Sequence, residues 1–361
     1  MNNLTMKRVS TAAELDVLRD GWDALATRSG AAVFQSWNWN RRWVSIFLEQ
    51  GDAGELDVRT IFRGDDLIAI LPFFVQNLAG PVGRVVQFLG HRMSYHNDVL
   101  TSPDVTASEF DEIVDLLRSS LGSREIVHLR HLHGEGQLTR RLLAGDLATR
   151  QIRRVLLQDD PERPEPEDRL GKSSRRSLKN RRNRLTREHG CQFRIRTGEE
   201  LGPFFDGFLE LHHRRFESIG KDSLLGENEA TFLRTVIQEG FGEVVFEGLE
   251  LVSGDRVVAA ALLARDGAFY FNLNFGFDPE FDKYSPMVIL IAETIRRGFR
   301  EHGCTFYDLG PGYEKYKLAW GPIEGANYFA CFGGRQPSAR LLAAAYKKAF
   351  EHALPPDAER S

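Results

Sequence analysis

Apolar residues recur at helical and strand spacing in an order that runs twice along the chain. In the first half, residues 12–25 have helical spacing. Residues 58–63, a Gly64-Asp65-Asp66 turn and residues 67–76 predict a hairpin. Residues 85–89 predict a strand, 108–119 a helix, and 125–132 a β-rich run that closes the half. In the second half, residues 204–216 predict a helix. Residues 243–252 and 257–264 form strands around Ser253-Gly254-Asp255-Arg256. Residues 268–275 read as a long aromatic strand, 286–301 as a helix and 305–309 as a strand. Residues 338–354 read as an amphipathic helix and 355–361 as a frayed tail.

The two halves match locally. Gly64-Asp65-Asp66-Leu67-Ile68-Ala69 aligns with Gly254-Asp255-Arg256-Val257-Val258-Ala259, and Glu125-Ile126-Val127-His128-Leu129 with Thr305-Phe306-Tyr307-Asp308-Leu309, at offsets of 190 and 180 residues. Repetition at domain length implies duplication of one fold. The expected class is α/β of the α+β kind, with mixed, mainly antiparallel sheets flanked by helices. The expected domains are 1–157 and 190–354. Between them lie a linker at 158–171, rich in proline and acid where it begins, and a basic helix at 172–189.

Length supports two domains: 361 residues, 42% hydrophobic and 27% charged. The formal net charge of -4 favours no partner class. Cys191, Cys304 and Cys331 are few and widely spaced, which fits buried thiols in a reducing compartment and no structural zinc. The N-terminal residues do not read as a signal peptide. The longest apolar run, 67–75, is far below the ~20 residues of a membrane helix. The expectation is a soluble cytoplasmic protein without a membrane span.

Charge is nevertheless uneven. Residues 172–187 hold eight cations (Lys172, Arg175, Arg176, Lys179, Arg181, Arg182, Arg184, Arg187) and no acid. Lys172, Arg175, Arg176 and Lys179 share one helical face, while Leu178 and Leu185 make a thin apolar stripe. Such a face suits a phosphate-rich ligand, a tRNA or a solvated surface. No stacking platform or nucleic-acid motif accompanies it, so DNA is not an expected partner.

Candidate chemistry concentrates in the second half. The strand containing Asn272, Asn274 and Phe275 leads to Tyr284-Ser285-Pro286-Met287-Val288. Ser285 is a suitable N-cap and Pro286 a suitable first helical residue. Open N–H groups there would form a phosphate site beside a strand edge, fit for a pantetheine arm with its pyrophosphate. The next strand ends in Asp308-Leu309-Gly310-Pro311-Gly312-Tyr313-Glu314-Lys315-Tyr316-Lys317, followed by Trp320. Polar clusters past a strand end are where α/β sites usually sit. A second cluster, His91 to Asp98 with Tyr95, His96 and Asn97, stands in the first half. His131 and His133 lack a nearby third metal ligand, and no G-x-S-x-G signature points to covalent catalysis.

Y-S-P, a helix, and D-L-G-x-G-x-E-x-Y-K-x-x-W together resemble the CelD/BcsL-type acetyltransferases of the GNAT superfamily, relatives of the Fem-type peptidoglycan aminoacyltransferases. Trp37-Asn38-Trp39, Leu71-Pro72-Phe73 and the basic helix also fit, so the resemblance spans roughly residues 10–335. Met287 stands where relatives often carry Gly, and the R/Q-x-x-G-x-G/A phosphate loop is absent from both halves. The resemblance implies tandem GNAT folds, with a donor site in the second copy and a first copy degenerate in cofactor binding. It also implies acyl transfer, acetyl foremost, from acyl-CoA to an amine or hydroxyl of a small molecule or saccharide precursor, as in polysaccharide biosynthesis.

On this reading Asn274, Phe275, Tyr284, Ser285, Met287, Val288, Lys315 and Lys317 hold the donor. Asp308, Glu314 or a neighbouring Tyr takes the proton of the attacking group, and Tyr313 or Tyr316 protonates the leaving thiolate. Trp37, Trp39, His91, Tyr95, Asn97, Asp98, His212, Arg215, Asn272 and Trp320 are the candidate acceptor contacts. The competing readings are a Fem-type transferase fed by aminoacyl-tRNA and a non-catalytic binding protein with a decayed donor site.

Overall fold

The computed structural model describes residues 4–353 apart from 81, 135, 146, 148, 241, 242, 313 and 324. Two compact units emerge: Met1–Arg153 with Ala326–Ser361, and Arg154–Gly325.

In chain order, the first unit holds β1 (Leu4–Val9), α1 (Ala12–Val17), α2 (Arg19–Ser29), α3 (Trp37–Trp43), β2 (Glu55–Leu56), β3 (Val58–Arg63), β4 (Asp66–Leu71), β5 (Phe73–Asn77), β6 (Arg84–Phe88), β7 (Leu100–Thr101), α4 (Ala107–Ser120), β8 (Glu125–His133) and α5 (Gln137–Ala144). Strand β9 (Thr149–Gln158) runs across the boundary. The second unit continues with α6 (Lys172–His189), β10 (Gln192–Arg196), α7 (Leu201–Ser218), α8 (Glu227–Glu239), β11 (Val245–Ser253), β12 (Arg256–Asp266), β13 (Phe269–Phe277), α9 (Pro286–Arg296), β14 (Phe306–Pro311) and α10 (Lys315–Leu318). The chain then returns to the first unit with β15 (Ala326–Gly333) and α11 (Pro337–Ala353).

Within the first unit, β1-β3-β4-β7 form one antiparallel sheet. A second sheet runs β2-β5-β6-β8-β15 and the first half of β9, antiparallel except for the β6/β8 pair. Within the second unit the order is β10-β11-β12-β13-β14 and the second half of β9, antiparallel except for β13/β14. The class is thus mixed α/β with mainly antiparallel sheets flanked by helices.

The repeat is carried by backbone detail. Gly64 and Gly254 open two-residue turns with φ of 61° and 59°, the left-handed region that suits glycine in tight hairpins. Register slips between Ile61 and Phe62 in one hairpin and between Leu251 and Val252 in the other, the same distance before each turn. Each meander then ends in a strand, a helix and a parallel strand: β6–α4–β8 and β13–α9–β14.

Several expectations shift. The helix over 12–25 divides at Leu18, and the strand over 67–76 breaks at Pro72, which has no N–H for a ladder. Its halves join different sheets. The second compact unit ends at Gly325 rather than 354, because β15 inserts between β8 and β9 and α11 packs with it. Among the described residues no helix is long and apolar enough to cross a membrane. The three cysteines are buried and form no disulfide among the described residues.

Candidate functional site

In the second unit β13 and β14 pair only over Phe269–Phe271 and Phe306–Asp308 before they part. β13 carries an irregularity there: Leu262 faces Asn274 and Leu263 faces Asn272, leaving Leu273 over. β14 is fixed by a buried ion pair. Arg154 Nη2 lies 2.7 Å from Asp308 Oδ2 and Nε donates to the same oxygen at 2.9 Å. Oδ1 accepts the Gly310 N–H at 2.8 Å. Both oxygens of Asp308 are therefore engaged, on a side chain with no exposure.

The start of α9 differs from the expected N-cap. Ser285 sits at φ 50°, ψ 58° and makes no side-chain cap. Its carbonyl accepts from Val288 at 3.0 Å and Ile289 at 3.3 Å, so of the first turn's amides only Met287 N–H has no acceptor among the described residues. Ser285 Oγ accepts from Arg181 of α6. Tyr284 is buried and its hydroxyl donates to Glu188 at 2.5 Å, with His189 Nε2 at 3.0 Å. This pins the end of α6, and the Tyr284 hydroxyl is committed to that contact.

Between α6 and the start of α9 lies a cavity of about 320 Å³. Leu170 and, from α6, Ser173, Ser174, Ser177, Leu178 and Arg181 form one wall. Ser285, Val288, Tyr316, Ala319 and Trp320 form the rest, and no carboxylate among the described residues lines it. Trp320 is fully buried and its Nε1–H has no acceptor among the described residues. Burial, with Glu314 nearby, pushes the Tyr316 hydroxyl up to about 12, so it holds its proton at neutral pH. The cavity gathers four residues expected from sequence, Ser285, Val288, Tyr316 and Trp320. It adds three serines and an arginine that were not. Their signal was legible: Ser173, Ser177 and Arg181 recur every four residues in a helix otherwise crowded with cations.

The remaining residues of this unit divide by exposure. Glu314 is exposed and stands 3.4 Å from Lys317 Nζ, which donates to Pro311 O at 3.0 Å. Burial lowers the Lys317 pKa and Glu314 partly restores it. Gly312 makes room for this pair: at φ 147°, a Cβ there would stand 2.0 Å from Glu314 Oε2. Lys315 is exposed, and Tyr313 lies outside the described residues. Asn274 Oδ1 accepts its neighbour's N–H at 3.1 Å, Phe275 belongs to the core, and Asn272 Oδ1 is buried without a donor among the described residues. Met287 is partly buried against the core. His212 is buried beside Ser223 Oγ at 3.0 Å, and burial pushes it down to about 4. Arg215 stacks on Phe216 and Phe277.

In the first unit the corresponding parting of β6 and β8 is filled. Asn97 N–H donates to His131 O at 2.6 Å and its carbonyl accepts from His133 N–H at 2.9 Å. The start of α4 is closed by a Thr106–Glu109 capping box. Trp37 and Trp39 are buried, their indole N–H groups donating to Leu15 O and Ser94 Oγ. Tyr95 O accepts from Asn327, and Asp98 accepts from Val99 N–H at 2.8 Å and Gln137 N–H at 3.0 Å.

Burial, with Arg130 second, pushes His91 down to about 3 and His128 and His131 to about 4. Neutral imidazoles thus contribute stability above pH 6.5 that is lost as pH falls toward 4. Asp98, raised by burial to about 7, gains stability over the falling range and offsets part of the loss. With His212 of the second unit counted as well, the expected net loss from pH 7.5 to 5.5 is about 3–4 kcal/mol, measurable by urea titration. Stability that rises over this window would show that Asp98 outweighs the histidines.

Comparison with known proteins bears on the second unit first. Residues 172–318 match the family model described as Acetyltransferase (GNAT) domain. That segment, from α6 through α10, is thus similar to GNAT-type acetyltransferase domains. Among solved structures, FemX is 11% identical with a TM-score of 0.59, covering 94% of this chain and 100% of that one. L-PGS from Bacillus licheniformis is 14% identical with a TM-score of 0.51, covering 90% and 96%. These likenesses concern the fold. No curated protein matches the chain.

Proposed function

We propose that this protein is an acyltransferase that draws an acyl group, acetyl foremost, from acyl-CoA and passes it to an amine or hydroxyl of a small molecule or saccharide precursor in the cytoplasm. The observation that carries this reading is the cavity between α6 and α9, apolar at Leu178, Val288 and Ala319 and cationic at Arg181. Its apolar side suits a pantetheine arm. The acceptor attacks the thioester directly, and holding both reactants together supplies much of the rate. Glu314 takes the proton, since it is exposed while Asp308 is bound on both oxygens. Tyr316 protonates the leaving thiolate, and strand N–H groups near Asn274 polarise the carbonyl. The filled parting of β6 and β8 supports donor binding in the second copy alone. A CelD/BcsL-type acetyltransferase fits this description.

One observation favours a second reading, a Fem-type transferase fed by aminoacyl-tRNA. Lys172, Arg176 and Lys179 are exposed on α6 and make no ion pair among the described residues. Thermal melting against a panel of acyl-CoA thioesters separates the two. A donor at a hundredfold excess over its Kd adds about 2.7 kcal/mol of stability, a shift of a few degrees for a protein of this size. A flat panel, together with a tRNA gel shift, would move the assignment to the second reading.

A further inference from the structure

We infer that α6 is the diphosphate grip of the donor site, standing in for the glycine-rich phosphate loop that neither half contains. The inference rests on the thioester-donor reading and adds where the anionic part of that donor is held.

Three observations carry it. First, the cavity wall contributed by α6 is chemically selected. In a helix where eight of the first sixteen positions are Lys or Arg, the positions facing the cavity are Ser173, Ser174, Ser177 and Leu178, with one cation, Arg181, at the end. Side chains four apart lie above one another on a helix, so Ser173, Ser177 and Arg181 form a line of two short hydroxyls ending in a guanidinium. Short hydroxyls leave room for a ligand that long cations would fill, and they offer donors to phosphate oxygens.

Second, positive charge converges where no acidic side chain pairs with Arg181 among the described residues. Arg181 donates to Ser285 Oγ at the start of α9, where the Met287 N–H is open. The helix dipole makes that end positive, so a guanidinium there is unfavourable unless an anion lies between them. Among the described residues no carboxylate lines the cavity.

Third, Trp320 borders the same cavity, is fully buried and has an indole N–H with no acceptor among the described residues. A buried donor without a partner is costly. An amide carbonyl of the donor's arm would supply one while the diphosphate lies on α6.

The test is calorimetric titration of the full chain with two probes, CoA and inorganic pyrophosphate. The proteins are the wild type, R181Q, S177L and, as control, R187Q, whose side chain is exposed and pairs with Glu188. Arg181 is exposed, so R181Q should fold normally, and matched melting curves would verify it. R181Q should weaken both probes roughly ten- to hundredfold, the worth of a charge-assisted hydrogen bond or two. S177L should weaken CoA by a comparable factor, and R187Q should stay within about twofold of wild type. CoA binding that is unchanged in R181Q and S177L overturns the grip and leaves the thioester reading standing. Arg181-dependent binding of pyrophosphate without binding of CoA upholds the grip and removes CoA as donor. Binding of neither probe to the wild type overturns both.

Discussion

Asp308→Ala should lower unfolding stability by about 3–5 kcal/mol, because it leaves Arg154 buried with no counter-charge. The two side chains are 6% and 0% exposed and lie 2.7 Å apart. The pair joins β9 to β14 at the point where β14 leaves β13. Urea titration of the variant gives the number directly. The double replacement Arg154→Met with Asp308→Leu should recover most of the loss, since an apolar pair of similar volume carries no desolvation cost. If Asp308→Ala instead unfolds at the wild-type urea concentration and loses only activity, Asp308 works on substrate and does not hold β14 through Arg154.

Tyr316→Phe should lower kcat about a hundredfold with KM nearly unchanged, because the hydroxyl acts only when the thiolate departs. The ring would still border the cavity, so the donor should bind as before. Release of free thiol from acyl-CoA, with water as acceptor, provides the assay without knowledge of the natural acceptor. Since burial pushes Tyr316 up to about 12, its deprotonation should not limit the rate at any pH below about 11. An unchanged kcat would move the proton donor elsewhere.

Much of the fold could be read from residue order because its signals are local. Gly64-Asp65 and Gly254-Asp255 announce the paired hairpins, and the spacing of Leu178 and Leu185 identifies the buried stripe of α6. What escaped depends on partners distant in sequence. Strand β9 mixes charged and apolar residues and shows no clean alternation, since its two halves pair with different strands. Nothing in residues 326–333 says that they will lie between β8 and β9.

The candidate site was partly legible for the same reason. Ser285 and the stretch Tyr316 to Trp320 border the cavity beside α6. Their roles follow from contacts more than a hundred residues away: Arg181 on Ser285 and Arg154 on Asp308. Ser285 looked like a cap, but a left-handed backbone turned its hydroxyl toward α6.

The first unit is interrupted in sequence, whereas the second is continuous. On a ribosome, residues 154–325 therefore emerge complete while the earlier sheet still lacks an interior strand, β15. Until that strand arrives, β8 presents a bare edge, and bare edges invite wrong pairing. The half synthesised first is the half that matures last, and a chain stopped near residue 325 would keep the cavity beside α6 while its older portion stayed unfinished.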